Sequence, residues 1–213
     1  MAGMPRPGRF ASFERWMSAR AWRAGFEWMH AYRMAPQPAP TLAGPLRIRA
    51  VDLGEALEMA RDVRLEMREV HVREAYATGS VCLAAWDEQG CAGYAWLARR
   101  IAAHSPGRVV RVRPGVEYRY KVMVLPEARG RGVATTLYRH ANAALREAGC
   151  VSAVLFVAPH NGPSVGAAFA AGGVRIGTVW VPGAAAIPAL HSPAVREAGV
   201  TFVNGEVIER GRT

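Results

Sequence analysis

The chain has a single lysine, Lys121, among its 27 basic residues; all the others are arginine. Its three cysteines, Cys82, Cys91 and Cys150, form no Cys-x-x-Cys pair. An odd, scattered set lacks the framework of a disulfide-stapled secreted domain. It fits reduced thiols packed as small hydrophobes, and so a cytoplasmic location. No apolar run approaches the roughly 20 residues of a membrane span. Charge interrupts the N-terminus too often for a signal-peptide core. His71, His104, His140, His160 and His191 are scattered, and no His-x3-His, His/Cys or paired-carboxylate spacing marks a metal site, so no metal is expected. The formal charge of +10 comes without any zinc-finger, RRM-like or helix-turn-helix pattern. Nucleic acid is therefore not an expected partner; charge alone does not identify an anion, and a solvated basic surface is its default reading.

What the chain does have is a hydrophobic share of 51% over 213 residues, enough for one core-bearing domain with an extension. The most informative stretch is Val122-Met123-Val124-Leu125-Pro126-Glu127-Ala128-Arg129-Gly130-Arg131-Gly132-Val133-Ala134. An apolar strand stops at a proline, turns through Arg-Gly-Arg-Gly and opens a helix that continues from Thr135 to Leu145. Glycines let the backbone turn tightly and approach a ligand closely. The first N–H groups of the helix and its dipole then face an anion, and Arg129 and Arg131 add charge beside it. A P-loop would need Gly-x4-Gly-Lys-Ser/Thr, and there is no lysine here. A dinucleotide loop would need Gly-x-Gly-x-x-Gly early in a βαβ unit.

The spacing resembles the acyl-CoA pyrophosphate loop of the GNAT family of N-acetyltransferases. Their signature, Gln/Arg-x-x-Gly-x-Gly/Ala, is met by Arg129, Gly132 and Ala134, with Pro126 before it. A second motif runs Val154-Leu155-Phe156-Val157-Ala158-Pro159-His160-Asn161-Gly162-Pro163-Ser164. It predicts a buried strand, then Asn161 as a helix N-cap with Pro163 in the first turn. In the family an Asn followed three residues later by Ala or Ser starts the helix beside the CoA arm, as Asn161 and Ser164 do. The family's usual tyrosine, seven residues after the Asn, is replaced by Ala168. The residue that often protonates the leaving thiolate is thus missing.

The expected fold class is α/β: a single GNAT-like domain over residues 46–213, a mixed central β-sheet flanked by helices, plus an N-terminal basic helical extension. Residues 1–35 read as that extension and 36–45 as a Pro-rich linker. Between Arg9 and Met34 the spacing predicts one amphipathic helix, with Phe10, Phe13, Met17, Ala21, Ala24 and Trp28 on one face. Residues 1–45 carry six Arg against two Glu. Such a basic, Trp-rich segment is suited to peripheral membrane contact through residues 10–34, and equally to packing on the domain or on a partner. On this division, the domain should stand without residues 1–40. Further on, the pattern gives a strand at 46–51, a helix from Glu55 to about Tyr76, and a hairpin over 81–98. Strands at 108–112, 117–124, 151–158, 174–181 and 201–203 follow, with helices at 132–147 and 161–171. Residues 69–80, 101–116 and 182–198 are expected to form substrate loops.

The resemblance implies attack by an amine on the thioester of acetyl-CoA, bound as co-substrate. The CoA arm would lie against Met123, Val124 and the region 156–158. The pyrophosphate would lie against Arg129, Gly130, Arg131, Gly132, Val133 and Ala134. Direct attack needs a base to take the amine proton. The family's central-strand glutamate, counted back from the loop, falls at Tyr118, one place from Glu117. These two are the catalytic candidates, and a salt bridge from Glu117 to Arg119 or Arg139 is the competing role. Two other activities stay open: a long-chain acyltransferase at a membrane surface, and a non-catalytic acyl-CoA-binding module. No loop motif identifies the amine acceptor.

Overall fold

The computed structural model describes residues 9–38, 46–105, 107–184 and 187–205. It begins with helix α1 (Arg9–Arg23) and strand β1 (Phe26–Met34). Then come β2 (Arg47–Val51), α2 (Leu53–Met59), α3 (Glu69–Ala77), β3 (Val81–Asp87), β4 (Gly90–Ala98), β5 (Ile101–Ser105), β6 (Arg108–Val112) and β7 (Val116–Val124). The second half is α4 (Val133–Ala144), β8 (Ser152–Val157), α5 (Gly162–Ala170), β9 (Val174–Pro182), β10 (Leu190–His191), α6 (Pro193–Glu197) and β11 (Val200–Asn204).

Eight strands form one mixed sheet in the order β10-β9-β1-β8-β7-β4-β3-β2, and β11-β6-β5 form a smaller one. Among the described residues only β7 and β8 pair in parallel. Helices α4 and α5 cover one face of the sheet over Tyr32, Met34, Leu155 and Val157. The small sheet covers the opposite face, over Met29, Ala31, Tyr118 and Val154. A third apolar cluster joins α2, α3 and α4 to β3 and β4 through Ala56, Met59, Val72, Leu83, Trp96 and Leu137.

The expected helix from Arg9 to Met34 is corrected. It ends at Arg23, and Gly25 turns the chain at φ 78°. Phe26, Trp28, His30, Tyr32 and Met34 then alternate along a strand, the arrangement in which aromatic side chains pack best. Strand β1 lies between β8 and β9, with His30 opposite Val157 and Phe26 opposite Pro182. Tyr32 and Met34 are sealed in the core, and burying such a side chain is worth about 1.5–3 kcal/mol. Residues assigned to an extension therefore supply a middle strand of the main sheet. Pro36–Pro38 also pack on the domain: the Gln37 side chain donates to Ala171 O at 3.0 Å. The rest of the expected linker, 39–45, lies outside the described residues.

The expected helix 55–76 is two helices. The Asp62 side chain accepts from Arg64 N, and Glu66 adopts a left-handed φ of 50°, which stops helix propagation between α2 and α3. Strand β6 falls on the expected strand at 108–112; the remainder of 101–116 and the segment 182–198, expected as substrate loops, also hold β5, β10 and α6.

Candidate active site

The site forms where β7 and β8 part. They pair from Val116 opposite Ser152 to Arg119 opposite Leu155, and there the ladder between them ends. Both strands run on, each held by its other neighbour: β7 stays on β4 as far as Val124 opposite Gly93, and β8 stays on β1 through Val157 opposite His30. A gap therefore opens between Tyr120–Val124 and Phe156–Val157, with backbone edges facing it. On β7 the divergence coincides with a bulge. Tyr94 faces Met123 while Trp96 faces Tyr120, so β7 carries one extra residue there, and Lys121 takes a left-handed φ of 48°.

Beyond the gap the chain caps itself in a 3-10 turn, Pro126–Ala128, and reaches the glycine turn. Gly130 and Gly132 have φ of 76° and 77°, which side-chain-bearing residues rarely adopt. Gly132 is the N-cap of α4, and no side chain bonds to that helix start. The opening N–H groups of α4 are thus available to an anion, as the sequence predicts. The two loop arginines are otherwise engaged. Arg131 pairs with Asp87 at 2.8 Å, and Arg129 Nε donates to Val124 O at 3.3 Å. Asn161 caps α5 as expected, its Oδ1 accepting from Ser164 N at 3.2 Å. Ala168 is fully buried.

Of the two catalytic candidates, neither faces the gap freely. Glu117 is 1% exposed, under α4. Its carboxylate accepts from Arg119 Nε at 3.1 Å and lies 3.5 Å from Arg99. Arg119 also donates to Asn142 Oδ1 at 2.7 Å and Tyr138 O at 3.1 Å. Burial pulls Arg119 below the ordinary arginine range, and Glu117 opposes that. This is the competing role that the sequence offers for Glu117. Tyr118 points to the opposite face, stacked on Tyr120 at 5.4 Å and tilted against Phe156. Burial raises its hydroxyl far above the ordinary tyrosine value, which disfavours ionisation.

The structure brings together groups that lie too far apart in sequence for any motif to link. Lys121 Nζ lies 2.9 Å from His71 Nδ1 of α3, in a pocket also lined by Glu74, Trp96, Ala103 and Tyr120. Burial and the charge of Lys121 lower the His71 imidazole, and burial lowers Lys121. Tyr120 Oη donates to Ser80 Oγ at 3.0 Å. On the far side of the aromatic patch, Glu27 of β1 holds His104 Nε2 at 3.0 Å. At the end of β8, His160 Nδ1 meets Ser18 Oγ of α1 at 2.9 Å. Among the described residues no group of three or more His, Cys, Asp or Glu is placed to hold a metal.

A mixed sheet forked beside a glycine-turned helix start defines the acetyltransferase class of α/β fold. The chain belongs to the acetyltransferase (GNAT) family, whose model matches residues 51–169. A structure from Novosphingobium aromaticivorans assigned to the GNAT family is similar at 16% identity and TM-score 0.51, over 85% of this chain and 68% of that one. A GCN5-related N-acetyltransferase from Kribbella flavida is similar at 14% identity and TM-score 0.51, over 83% of this chain and 63% of that one. A GNAT acetyltransferase from Brucella melitensis, solved with acetyl-CoA, aligns over 52% of this chain and 74% of that one, at 20% identity and TM-score 0.39. No curated protein matches the chain.

Proposed function

We propose that the protein is an acyl-CoA-dependent N-acyltransferase that moves an acetyl group from acetyl-CoA to a primary amine by direct attack. The observation that carries this is the parting of β7 from β8 immediately before the uncapped, glycine-turned start of α4. The CoA arm lies along Met123 and Val124 and bonds their open edge as an added strand would. The pyrophosphate sits on the N–H groups of Gly130, Arg131, Gly132, Val133 and Ala134, with Arg129 beside it. Asn161 and Ser164 fix the start of α5 next to that arm. The reacting amine group meets His71, Glu74, Trp96, Tyr120 and Lys121 beside the bulge, where a cavity of about 10 Å³ has room for a water-sized group only. A neutral imidazole there is a better proton acceptor than the paired Glu117 carboxylate. Calorimetry with CoA, followed by turnover of acetyl-CoA against pools of amines, tests the reading. Lack of CoA affinity would overturn it. Affinity without turnover would favour the non-catalytic acyl-CoA-binding module, in line with the loss of the motif tyrosine at Ala168.

A second reading concerns location. No helix among the described residues is long and apolar enough to cross a membrane. Yet Phe13, Trp16 and Trp22 of α1 are each more than half exposed. Phe13 stacks on Trp16, and Arg20 lies 4.8 Å over the Trp16 ring. Aromatic rings flanked by arginine suit an anionic lipid headgroup layer. We propose a cytoplasmic protein, its three thiols unpaired, that touches membranes through α1. A long-chain acyl donor would fit that location.

A further inference from the structure

The chain's only lysine stands at the most irregular point of its central strand. Lys121 adopts φ 48° inside β7, a conformation that costs a residue with a side chain roughly 1–2 kcal/mol. The bulge takes Lys121 out of the alternation that sends Glu117 and Arg119 under α4 and stacks Tyr118 on Tyr120. Its side chain leaves toward α3, where Nζ meets His71 Nδ1 at 2.9 Å. A lysine ammonium can only donate, so His71 Nδ1 accepts this hydrogen bond and carries no proton of its own. The ionisable groups facing the pair are Glu74 and Arg68 from α3 and its approach, and Tyr120 beside Lys121. Burial lowers both Lys121 and His71, with Arg68 acting the same way on each and Glu74 opposing it at Lys121. The amine therefore loses a proton more readily than a surface lysine does. Lys121 also remains exposed enough to reach a ligand.

We propose that Lys121 is an internal acyl acceptor, taking the acyl group of a CoA thioester bound in the gap beside Met123 and Val124. The inference rests on the acyl-CoA reading above. Met123 is two residues further along β7, at most about 7 Å away along the chain, a distance that a flexible four-carbon stem covers. Once the ammonium proton of Lys121 has gone to solvent, the Nζ lone pair attacks the thioester carbonyl carbon, and an N–C bond forms as the C–S bond breaks. The sulfur leaves with the electron pair, and the surplus nitrogen proton passes to His71 Nδ1. From His71 it goes on to the thiolate, so the products are an amide and CoA thiol. The amide carries no charge, so acylation removes a cation from the pocket and alters its affinity for an incoming amine.

The test is intact-protein mass spectrometry with peptide mapping after incubation of the full chain with acetyl-CoA, alongside calorimetry with CoA. One acetyl group is expected, on Lys121. It should be absent in Lys121→Arg and suppressed by excess desulfo-CoA. In His71→Gln it should form about 10²-fold more slowly, provided that variant still binds CoA. CoA binding with Lys121 unmodified overturns the inference and leaves the acyl-CoA reading standing. Failure to bind CoA overturns both. Acetylation that is indifferent to desulfo-CoA, or equally fast in a CoA-binding His71→Gln protein, shows solution chemistry alone and also overturns it.

Discussion

Arg119 and Glu117 project to the same side of β7 and share a hydrogen bond of 3.1 Å, Nε to Oε1, with both side chains out of reach of solvent. Removing one partner of such a pair leaves a buried charge uncompensated. Glu117→Gln should therefore lower stability by about 3–5 kcal/mol, read as a fall in Tm. CoA affinity and the pH–rate profile should be unchanged. A variant that keeps its Tm and loses turnover by about 10²–10⁴-fold would instead make Glu117 the base.

Gly132 tests the donor site. A Cβ built at Gly132 meets nothing within 4 Å in the protein, but the residue has φ 77°. Gly132→Val should fold, at a cost of about 1–2 kcal/mol for the left-handed conformation, and lose CoA binding because the side chain occupies the approach of the pyrophosphate. Circular dichroism and calorimetry on the same sample separate the two effects. Wild-type affinity in the variant would put the pyrophosphate elsewhere.

Truncation distinguishes α1 from β1. Deleting residues 1–40 removes a strand flanked on both sides in the sheet, so the cooperative melt should disappear. A deletion that ends at Gly25 removes α1 alone and should preserve the melt with a lowered midpoint. A folded, cooperative 41–213 fragment would show that β8 and β9 can close without β1.

The α1 surface predicts lipid binding. Vesicles containing anionic phospholipid should co-sediment the full chain, and Phe13→Ser with Trp16→Ser should release it. Each fully inserted aromatic side chain is worth about 1.5–3 kcal/mol, so the double variant should weaken binding by at least about tenfold. Equal binding by both proteins would move the contact away from α1.

His30 predicts a pH dependence. It is buried between α1 and the sheet, 3.7 Å from Glu14, and burial first, then Arg175, pushes its imidazole down to about 4, against the pull of Glu14. Between pH 4 and the ordinary histidine value the unfolded chain binds a proton that the folded chain refuses. Stability is therefore full above about pH 6.5 and falls as pH drops toward 4, by roughly 2–3 kcal/mol from this group. Denaturant melts at pH 7 and pH 4.5 should show that difference in the wild type and a smaller one in His30→Gln.

Several elements were legible because local chemistry fixes them. Gly130, Gly132 and Pro126 announce the loop, Asn161 announces the α5 cap, and the β3–β4 hairpin follows from alternation around Asp87 and Gly90. Elements that depend on distant partners were not. The period of two in Phe26, Trp28, His30 and Tyr32 is present in the sequence, but Trp28 also continues the helical stripe that begins at Phe10, and only β8 and β9 decide between the two. The break between α2 and α3 rests on Asp62 and Glu66, polar residues that an apolar periodicity passes over. At the site, His71 with Lys121 and Glu27 with His104 come together only through the tertiary fold. For Glu117, strand alternation gives the face it occupies, while α4 and Asn142 make that face a closed one.

Strand β1 has a consequence for how the molecule is made. It leaves the ribosome before the other strands of its sheet, yet its two neighbours are not complete until synthesis has reached Pro182. Throughout that interval a segment rich in Trp, Phe, Tyr and Met has no native edge to join. Pairings that distant in sequence make closure slow, because the chain between them must be ordered first. The sheet thus closes only after most of the chain is out, and an aromatic strand left waiting is where a chaperone would have most to hold.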